Sequence, residues 1–223
     1  LGVIQTATLT LLGLIIGFTF SMAIARYDLR QTYEEAEANA IGTEFLRADL
    51  LPSKTAESIK GLLGEYLDQR ILFYSKQDHE TAKQITKRTT ALENAMWNEL
   101  LPVARTQSTP TIALVVSGMN DVINSQGYTQ AAWWNRIPTA AWWLMSAIAI
   151  AANILVGFGA RNFKPNVGLF MIFPTMIAIA FFLIADIDSP RGGVIRIDPR
   201  NLIDLKNNMS PANGSAPTRG INK

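Results

Sequence analysis

The chain has no cysteine, and its one histidine is His79. Disulfide scaffolds, cysteine nucleophiles, thiolate-held zinc or iron–sulfur centres and any site needing two histidines are therefore excluded. Charge is scarce as well: 17% of the 223 residues are charged, and the formal balance is only +2. A strongly basic surface for nucleic acid is not implied. No glycine-rich phosphate loop follows a strand-like run, no Ser-x-x-Lys occurs, and no paired acid has a basic partner in a plausible pocket. An enzyme would have to build its site from Glu, Asp, Tyr and Arg alone, so the sequence points away from catalysis and calls for no cofactor or metal. His79, in a polar helix start, is expected at the surface. What the chain has in quantity is apolar: 48% hydrophobic residues and a mean hydropathy of +0.14, high for a soluble domain of this size.

Three uncharged runs account for that excess. The first occupies residues 1–25 and stops at Arg26, the second lies between Arg136 and Arg161, and the third lies between Lys164 and Asp186. At about 1.5 Å per residue each reaches across a hydrocarbon core about 30 Å thick. The expected fold class is an all-α membrane protein, with transmembrane helices at 1–26, 137–160 and 166–186. The first run lacks the basic flank of a signal peptide and is too long for its apolar region. The chain opens on Leu1 rather than Met, which leaves room for a fourth helix upstream. Arg26, Arg30, Arg136, Arg191, Arg196, Arg200 and Lys206 flank one side of the spans, against Arg161 and Lys164 on the other. The positive-inside rule places the first side in the cytoplasm and turns the 161–166 loop outward. Trp133, Trp134, Trp142 and Trp143 cluster at the start of the second span as an aromatic belt, the latter two deep enough to pack on a neighbouring helix.

Residues 27–136 read as a cytoplasmic helical bundle. The first span continues as one helix until Pro52 stops it. Ser53 caps a helix over 54–76, with Ile59, Leu62, Leu63, Tyr66, Leu67, Ile71 and Tyr74 on one stripe. Asp78 caps another over 79–101, with Ile85, Leu92 and Met96 inward. Thr109 and Pro110 open a fourth over about 110–125 as cap and first-turn proline, its apolar face carrying Ile112, Val115, Val116, Met119 and Ile123, and Gly127 ends it. Residues 27–135 hold 10 basic and 14 acidic side chains, a net of −4, while the rest of the chain nets +6. The basic residues thus gather at the membrane edge, where they can pair with lipid phosphates. Residues 187–206 form a membrane-proximal segment and 207–223 a flexible tail rich in Asn, Ser, Pro and Gly. Within the former, Val194 to Ile197 alternates as a short strand would. Pro174 is placed to kink the third span.

Two rows stand out on the first span. Gly13, Gly17, Ser21 and Ala25 recur every four residues, a small-residue ridge that permits close helix approach, whether within the bundle or between subunits. Thr10, Leu14 and Phe18 form a second row. In a ring of subunits that row could line an axis, and apolar rings gate pores by dewetting.

The run Gly17-Phe18, Ser21, Arg26-Tyr27 resembles the pore helix of bacterial bestrophins, with its Gly-Phe-x-x-Ser-x-x-x-x-Arg-aromatic pattern. Over most of 5–206 the chain is similar to a bacterial membrane family known as bestrophin-like, a domain of unknown function. The matching phrases are Phe20-Ser21-Met22-Ala23, Glu35-Ala36-Glu37-Ala38-Asn39-Ala40-Ile41-Gly42, Leu46 to Pro52, and Asp186-Ile187-Asp188 through Ile197. The resemblance implies a homo-oligomeric, pentameric channel for inorganic ions, with Phe18 innermost in a hydrophobic neck and Leu14 and Thr10 one and two turns before it. Thr10 departs from the apolar residue expected there. Bestrophins have four spans, a count an upstream helix would restore. The acidic calcium clasp of animal bestrophins has no counterpart here.

Glu34, Glu37 and Glu44 share one broad helical face just below the first span. They read either as a cation-attracting vestibule or as an exposed face of i,i+4 charge pairs such as Arg30–Glu34. Asn39 reads as a buried hydrogen bonder between helices. Arg26, Arg30, Asp186 and Asp188 form a polar cluster at the membrane edge, either ion-paired, cation-binding or part of a helix-end turn in which Pro190, Gly192 and Gly193 redirect the chain. Beside the channel stand two other readings: a membrane sensor or scaffold with a helical ligand- or partner-binding domain, and a non-conducting subunit of a larger membrane complex. The partners in common are the lipid bilayer and further protein copies, with no nucleic acid.

Overall fold

No proline occurs between Leu1 and Pro52, and α1 accordingly runs unbroken over Gly2–Arg47. The computed structural model describes residues 2–75, 79–159 and 167–209, without the side chains of His79, Val167 and Leu169. The expectations for the Asp78 cap, the His79 side chain, the 161–166 loop and the tail beyond residue 209 lie outside the described residues. After a 3-10 turn at Ala48–Leu50 come α2 (Ser53–Ser75), α3 (His79–Thr106), α4 (Pro110–Trp134), α5 (Thr139–Gly159), α6 (Val167–Asp188) and α7 (Arg200–Met209). Among the described residues there is no strand, so the protein is all-α. Among the described residues, three helical stretches are long and apolar enough to cross a membrane: Gly2–Leu50, Pro110–Gly159 and Phe170–Asp188.

Contacts divide the chain into two units, 1–31 with 131–197 and 32–130 with 198–223. In the first, α1 buries Leu12 and Ala23, with Ile16 and Tyr27 packed around them. Leu12 meets Ala149 and Ala152 of α5 beside Phe173, Ile177 and Phe181 of α6. Ala23 joins Ile137, Ile184 and Ile187. Trp142 packs edge-on to Phe181, 6.3 Å between ring centres, whereas Trp143 is exposed along with Ile150, Ile154 and Phe158 on α5 and Met176, Ile179 and Phe182 on α6. That much apolar surface on one fold is covered by lipid rather than water.

The second unit packs α2 against α3 and α7. Ile59, Leu63, Tyr66 and Leu67 of α2, Ile85, Leu92 and Met96 of α3, and Ile112, Val115 and Met119 of α4 are buried, as the stripes predict. Thr109 caps α4: its hydroxyl accepts the Ile112 N–H at 3.2 Å. Pro52 rather than Ser53 precedes the first residue of α2, with the Ala56 N–H bonded to the Pro52 carbonyl.

Four local expectations are corrected. Helix α3 continues through Pro102 to Thr106, because Leu100 and Val103 extend the buried stripe of Met96. One lost N–H bond does not outweigh that burial. Helix α4 continues through Gly127 to Trp134. A helical glycine costs about 1 kcal/mol relative to alanine, and the buried Val122, Ser125, Thr129, Ala132 and Trp133 carry the stripe past it. Residues 194–197 are not a strand: the N–H groups of Val194 and Ile195 donate to the Asp186 carboxylate at 2.7 and 2.9 Å instead. Asn39 is exposed rather than buried.

Two glycines test this packing in opposite directions. An added Cβ at Gly61 of α2 meets open space, whereas at Gly118 of α4 it overlaps the Glu44 carboxylate and the Arg47 guanidinium. Gly61→Ala is expected to stabilise the detergent-solubilised protein by about 0.5–1 kcal/mol, and Gly118→Ala to destabilise it by about 1–3 kcal/mol. Thermal unfolding of both variants checks this, and shifts of the same sign would contradict the packing described.

Candidate functional site

Helix α1 has two sides of different character. Leu12, Thr19, Ala23 and Arg30 are buried at 5% exposure or less and, at 100° per residue, share one stripe. Opposite them lie both rows singled out from sequence. Phe18 is 65% exposed and Leu14 52%, and Thr10 is exposed with them. Gly13, Gly17, Ser21 and Ala25 are exposed too, and a Cβ at Gly13 or Gly17 would touch nothing within 4 Å. The small-residue ridge therefore does not serve packing inside the described protomer.

The membrane-edge cluster is assembled in the first unit, and Arg30 is its centre. Its Nε donates to the Ala132 carbonyl at 3.2 Å and its Nη2 to that of Asn135 at 3.1 Å, both at the end of α4. Nη1 and Nη2 donate to the carbonyls of Ile187 and Asp188, each at 3.3 Å, at the end of α6. Final-turn carbonyls have no partner within their own helix, and a cation suits that end of the dipole. Asp188 accepts the Ile137 N–H at 3.1–3.2 Å and pairs with Arg26 at 3.6 Å. Asp186 holds the following turn through Val194 and Ile195, and its carbonyl lies 2.6 Å from where a Cβ on Gly193 would stand, so that approach needs glycine. Of the sequence readings, the ion pair and the helix-end turn both occur, and Arg30 bonds carbonyls rather than a carboxylate.

Glu34, Glu37 and Glu44 do share a face, but it is the inner one: each is 1% exposed or less. They are not at the surface of the protomer, and the Arg30–Glu34 surface pair expected from spacing is replaced by other bonds. Glu34 accepts the Leu202 N–H at 3.1 Å and the Asn201 side-chain amide at 2.6 Å, so it caps the start of α7. Glu37 takes both Nε and Nη2 of Arg70, the Tyr74 hydroxyl at 3.2 Å and the Thr129 hydroxyl at 3.2 Å. Tyr74 lies on the stripe expected for α2, whereas Arg70 and Thr129 are not singled out by the sequence, although Arg70 continues the spacing of Leu63 and Tyr66. Glu44 differs. Neither oxygen has a hydrogen-bond partner, and its nearest cation is Arg47 at 3.9 Å. Burial pushes its carboxyl up to about 8, opposed by Arg47 and assisted by Asp121. Burial likewise raises Glu93 to about 7, opposed by Arg70 and assisted by Glu37. No group of three or more metal-ligating side chains is found among the described residues.

A membrane-embedded helix with one packed and one open side, attached to a helical bundle, defines a class of all-α membrane proteins that comparison narrows to one family. The Bestrophin-like domain matches residues 2–202, and the chain belongs to that family. Among solved structures, a bacterial bestrophin homologue from Klebsiella pneumoniae superposes with a TM-score of 0.68 at 14% identity, over 91% of this chain and 86% of that one. A variant of that homologue gives 0.70 at 13% identity over 92% and 85%. A structure described as a membrane protein gives 0.71 at 11% identity over 96% and 86%. At these identities the likeness establishes a shared fold. No match emerged among curated protein sequences.

The buried Glu44 carboxyl sets a pH dependence. Its folded-state value lies above the unfolded one, so the protein holds this proton more tightly when folded. The contribution to stability is complete below about pH 4.5 and is lost as pH rises toward about 8. Glu93 adds the same sign up to about 7. Glu44→Gln keeps the volume and removes the charge, and is expected to flatten the decline between pH 5 and 8 and to exceed the parent in stability at pH 8. Denaturation midpoints across that range check it; parallel curves would show that Glu44 does not titrate there.

Proposed function

We propose that the protein is an oligomeric ion channel or channel-like protein of the bacterial inner membrane, built from copies of this chain with α1 nearest the shared axis. Five copies follow from the resemblance to bestrophins. In this reading residues 1–26, 137–160 and 166–186 cross the bilayer. The helices of 27–136 and the C-terminal segment lie in the cytoplasm, on the side where Arg26, Arg30, Arg136 and Arg191 gather. Phe18, Leu14 and Thr10 form the neck, and Gly13, Gly17, Ser21 and Ala25 let neighbouring α1 helices approach closely. Glu34, Glu37 and Glu44 serve the interior of the bundle rather than a vestibule.

The observation that carries this reading is the open side of α1. Helix α1 anchors the packed stripe of the first unit, yet Leu14 and Phe18 on its opposite side are more than half exposed. A helix held that firmly on one side and left open on the other suits assembly around an axis. A ring of apolar side chains there closes the path to ions until it widens or wets.

The test is current across a planar bilayer containing the purified protein, with unequal salt on the two sides. Discrete unitary currents are expected, and Phe18→Ala is expected to raise conductance or weaken closure. Unchanged conductance and gating in that variant would remove Phe18 as the constriction. Silence across voltage, pH and calcium from a folded oligomer would favour the scaffold or non-conducting subunit instead.

A further inference from the structure

The turn that follows α6 is fixed more firmly than a connecting loop requires. Both oxygens of Asp186 are taken by the N–H groups of Val194 and Ile195. Arg196 Nε bonds the Gly193 carbonyl at 2.7 Å, and the Tyr27 hydroxyl reaches the Arg196 carbonyl at 3.5 Å. This rigid turn holds Val194, 83% exposed, at the surface. It also holds the Arg191 guanidinium over the Trp133 ring, 5.2 Å from its centre, which brings it against the end of α4.

Arg136 comes to the same place. Arg30 bonds the carbonyls of both Asn135 and Asp188, so the residues that follow each start from one guanidinium. The positive charge of Arg136 is felt at both neighbours: after burial, it is what lowers the Arg191 guanidinium, and it acts on Arg30 in the same sense. Among the described residues of this unit, five arginines (26, 30, 136, 191 and 196) face three carboxylates. Asp186 and Asp188 already have donors of their own. The four helix-end carbonyls are served by Arg30. The described residues of this unit therefore carry net positive charge, and Arg136 and Arg191 contribute to it at one place.

Their position says which anion they suit. Arg136 stands three residues before α5 begins and Arg191 three after α6 ends, at the edge of two membrane-crossing helices. Trp134, 75% exposed, and Val194 flank them. A free anion needs no apolar neighbours, whereas a lipid brings acyl chains beneath its phosphate. We propose that Arg136 and Arg191, flanked by Trp134 and Val194, form a binding site for the phosphate of an anionic phospholipid.

Native mass spectrometry of the full chain in detergent tests this, with phosphatidylglycerol, phosphatidylcholine and inorganic phosphate as probes. Phosphatidylglycerol is expected to be retained over phosphatidylcholine. Arg136→Gln, at an exposed position, should weaken that retention about fivefold, and Arg191→Gln by a similar factor. Arg191→Lys, which keeps the charge, should retain most of it. Arg105→Gln, an equal charge change on α3, should leave it unaltered. Equal retention of the two lipids, an equal loss in Arg105→Gln, or unchanged binding in Arg136→Gln would overturn the site. Displacement of phosphatidylglycerol by millimolar inorganic phosphate would assign the arginines to a free anion and overturn the lipid.

Discussion

One guanidinium holds the ends of two helices. Arg30 spends three nitrogens on four carbonyls, two from the end of α4 and two from the end of α6. Without it the carbonyls of Ala132, Ile187 and Asp188 would be buried without partners, at about 1–3 kcal/mol each. Only arginine suits the position: its donors fan out in a rigid plane, whereas a lysine ammonium is a single point that cannot reach two helix ends at once. The bonds also carry register. Sliding either helix by one residue against α1 would move the carbonyls out of the fork, so Arg30 fixes where α4 and α6 stop as well as how they are held. Asp188 completes the arrangement by pairing with Arg26 and receiving the Ile137 N–H, which ties the start of the next span to the end of the last.

The same spacing continues down α1 in the second unit with charges in place of apolar side chains. Glu34, Glu37, Ile41 and Glu44 follow one another at intervals of three and four, and all four are buried. Burying carboxylates costs heavily unless donors replace water. Glu34 finds the amino end of α7, and Glu37 finds Arg70, Tyr74 and Thr129. Such bonds are directional, so they choose among packings that a greasy stripe would tolerate equally. Lys206, paired with Asp68 at 2.7 Å, and Leu205, pressed against Gly42, seat α7 on the same helices. Glu44 lacks donors, and the raised value of its carboxyl is the expected response: the group is easier to bury neutral.

Much of this was legible in the amino-acid order. The unbroken α1, the Thr109-Pro110 start of α4 and the stripes of α2, α3 and α4 follow from local rules of proline, capping and periodicity. The shared face of Glu34, Glu37 and Glu44 was also correct. Its direction was not, because charge along a stripe ordinarily marks the solvent side. The information that reverses it lies far along the chain, in Arg70, Thr129 and Asn201, whose proximity no local pattern shows. Ile41, apolar and in phase with the three glutamates, was the one nearby sign. Pro102 and Gly127 misled in the opposite sense, since their local preference to end a helix is smaller than the burial on either side. The two rows on the outer side of α1 were visible as spacing, but their exposure depends on which stripe the rest of the chain covers.

That exposure bears on Thr10, the polar member of the row Thr10, Leu14 and Phe18. Its hydroxyl donates to the Thr6 carbonyl one turn back, at 2.9 Å, and Thr6 does the same to Gly2 at 3.0 Å. A threonine whose hydroxyl proton is spent on its own helix has no donor left for water, while its oxygen keeps its acceptor lone pairs beside the methyl group. Its surface is then less polar than that of a threonine with a free hydroxyl proton. The row Thr10, Leu14, Phe18 thus comprises two apolar turns and one that still accepts hydrogen bonds, all on the open side of α1. In a bilayer, where lipid tails are as apolar as leucine, what brings such helices together is close packing rather than hydrophobic burial. The open space at Gly13 and Gly17, on the adjoining row, leaves room for such an approach and lies away from the side of α1 that Arg30 and its neighbours hold.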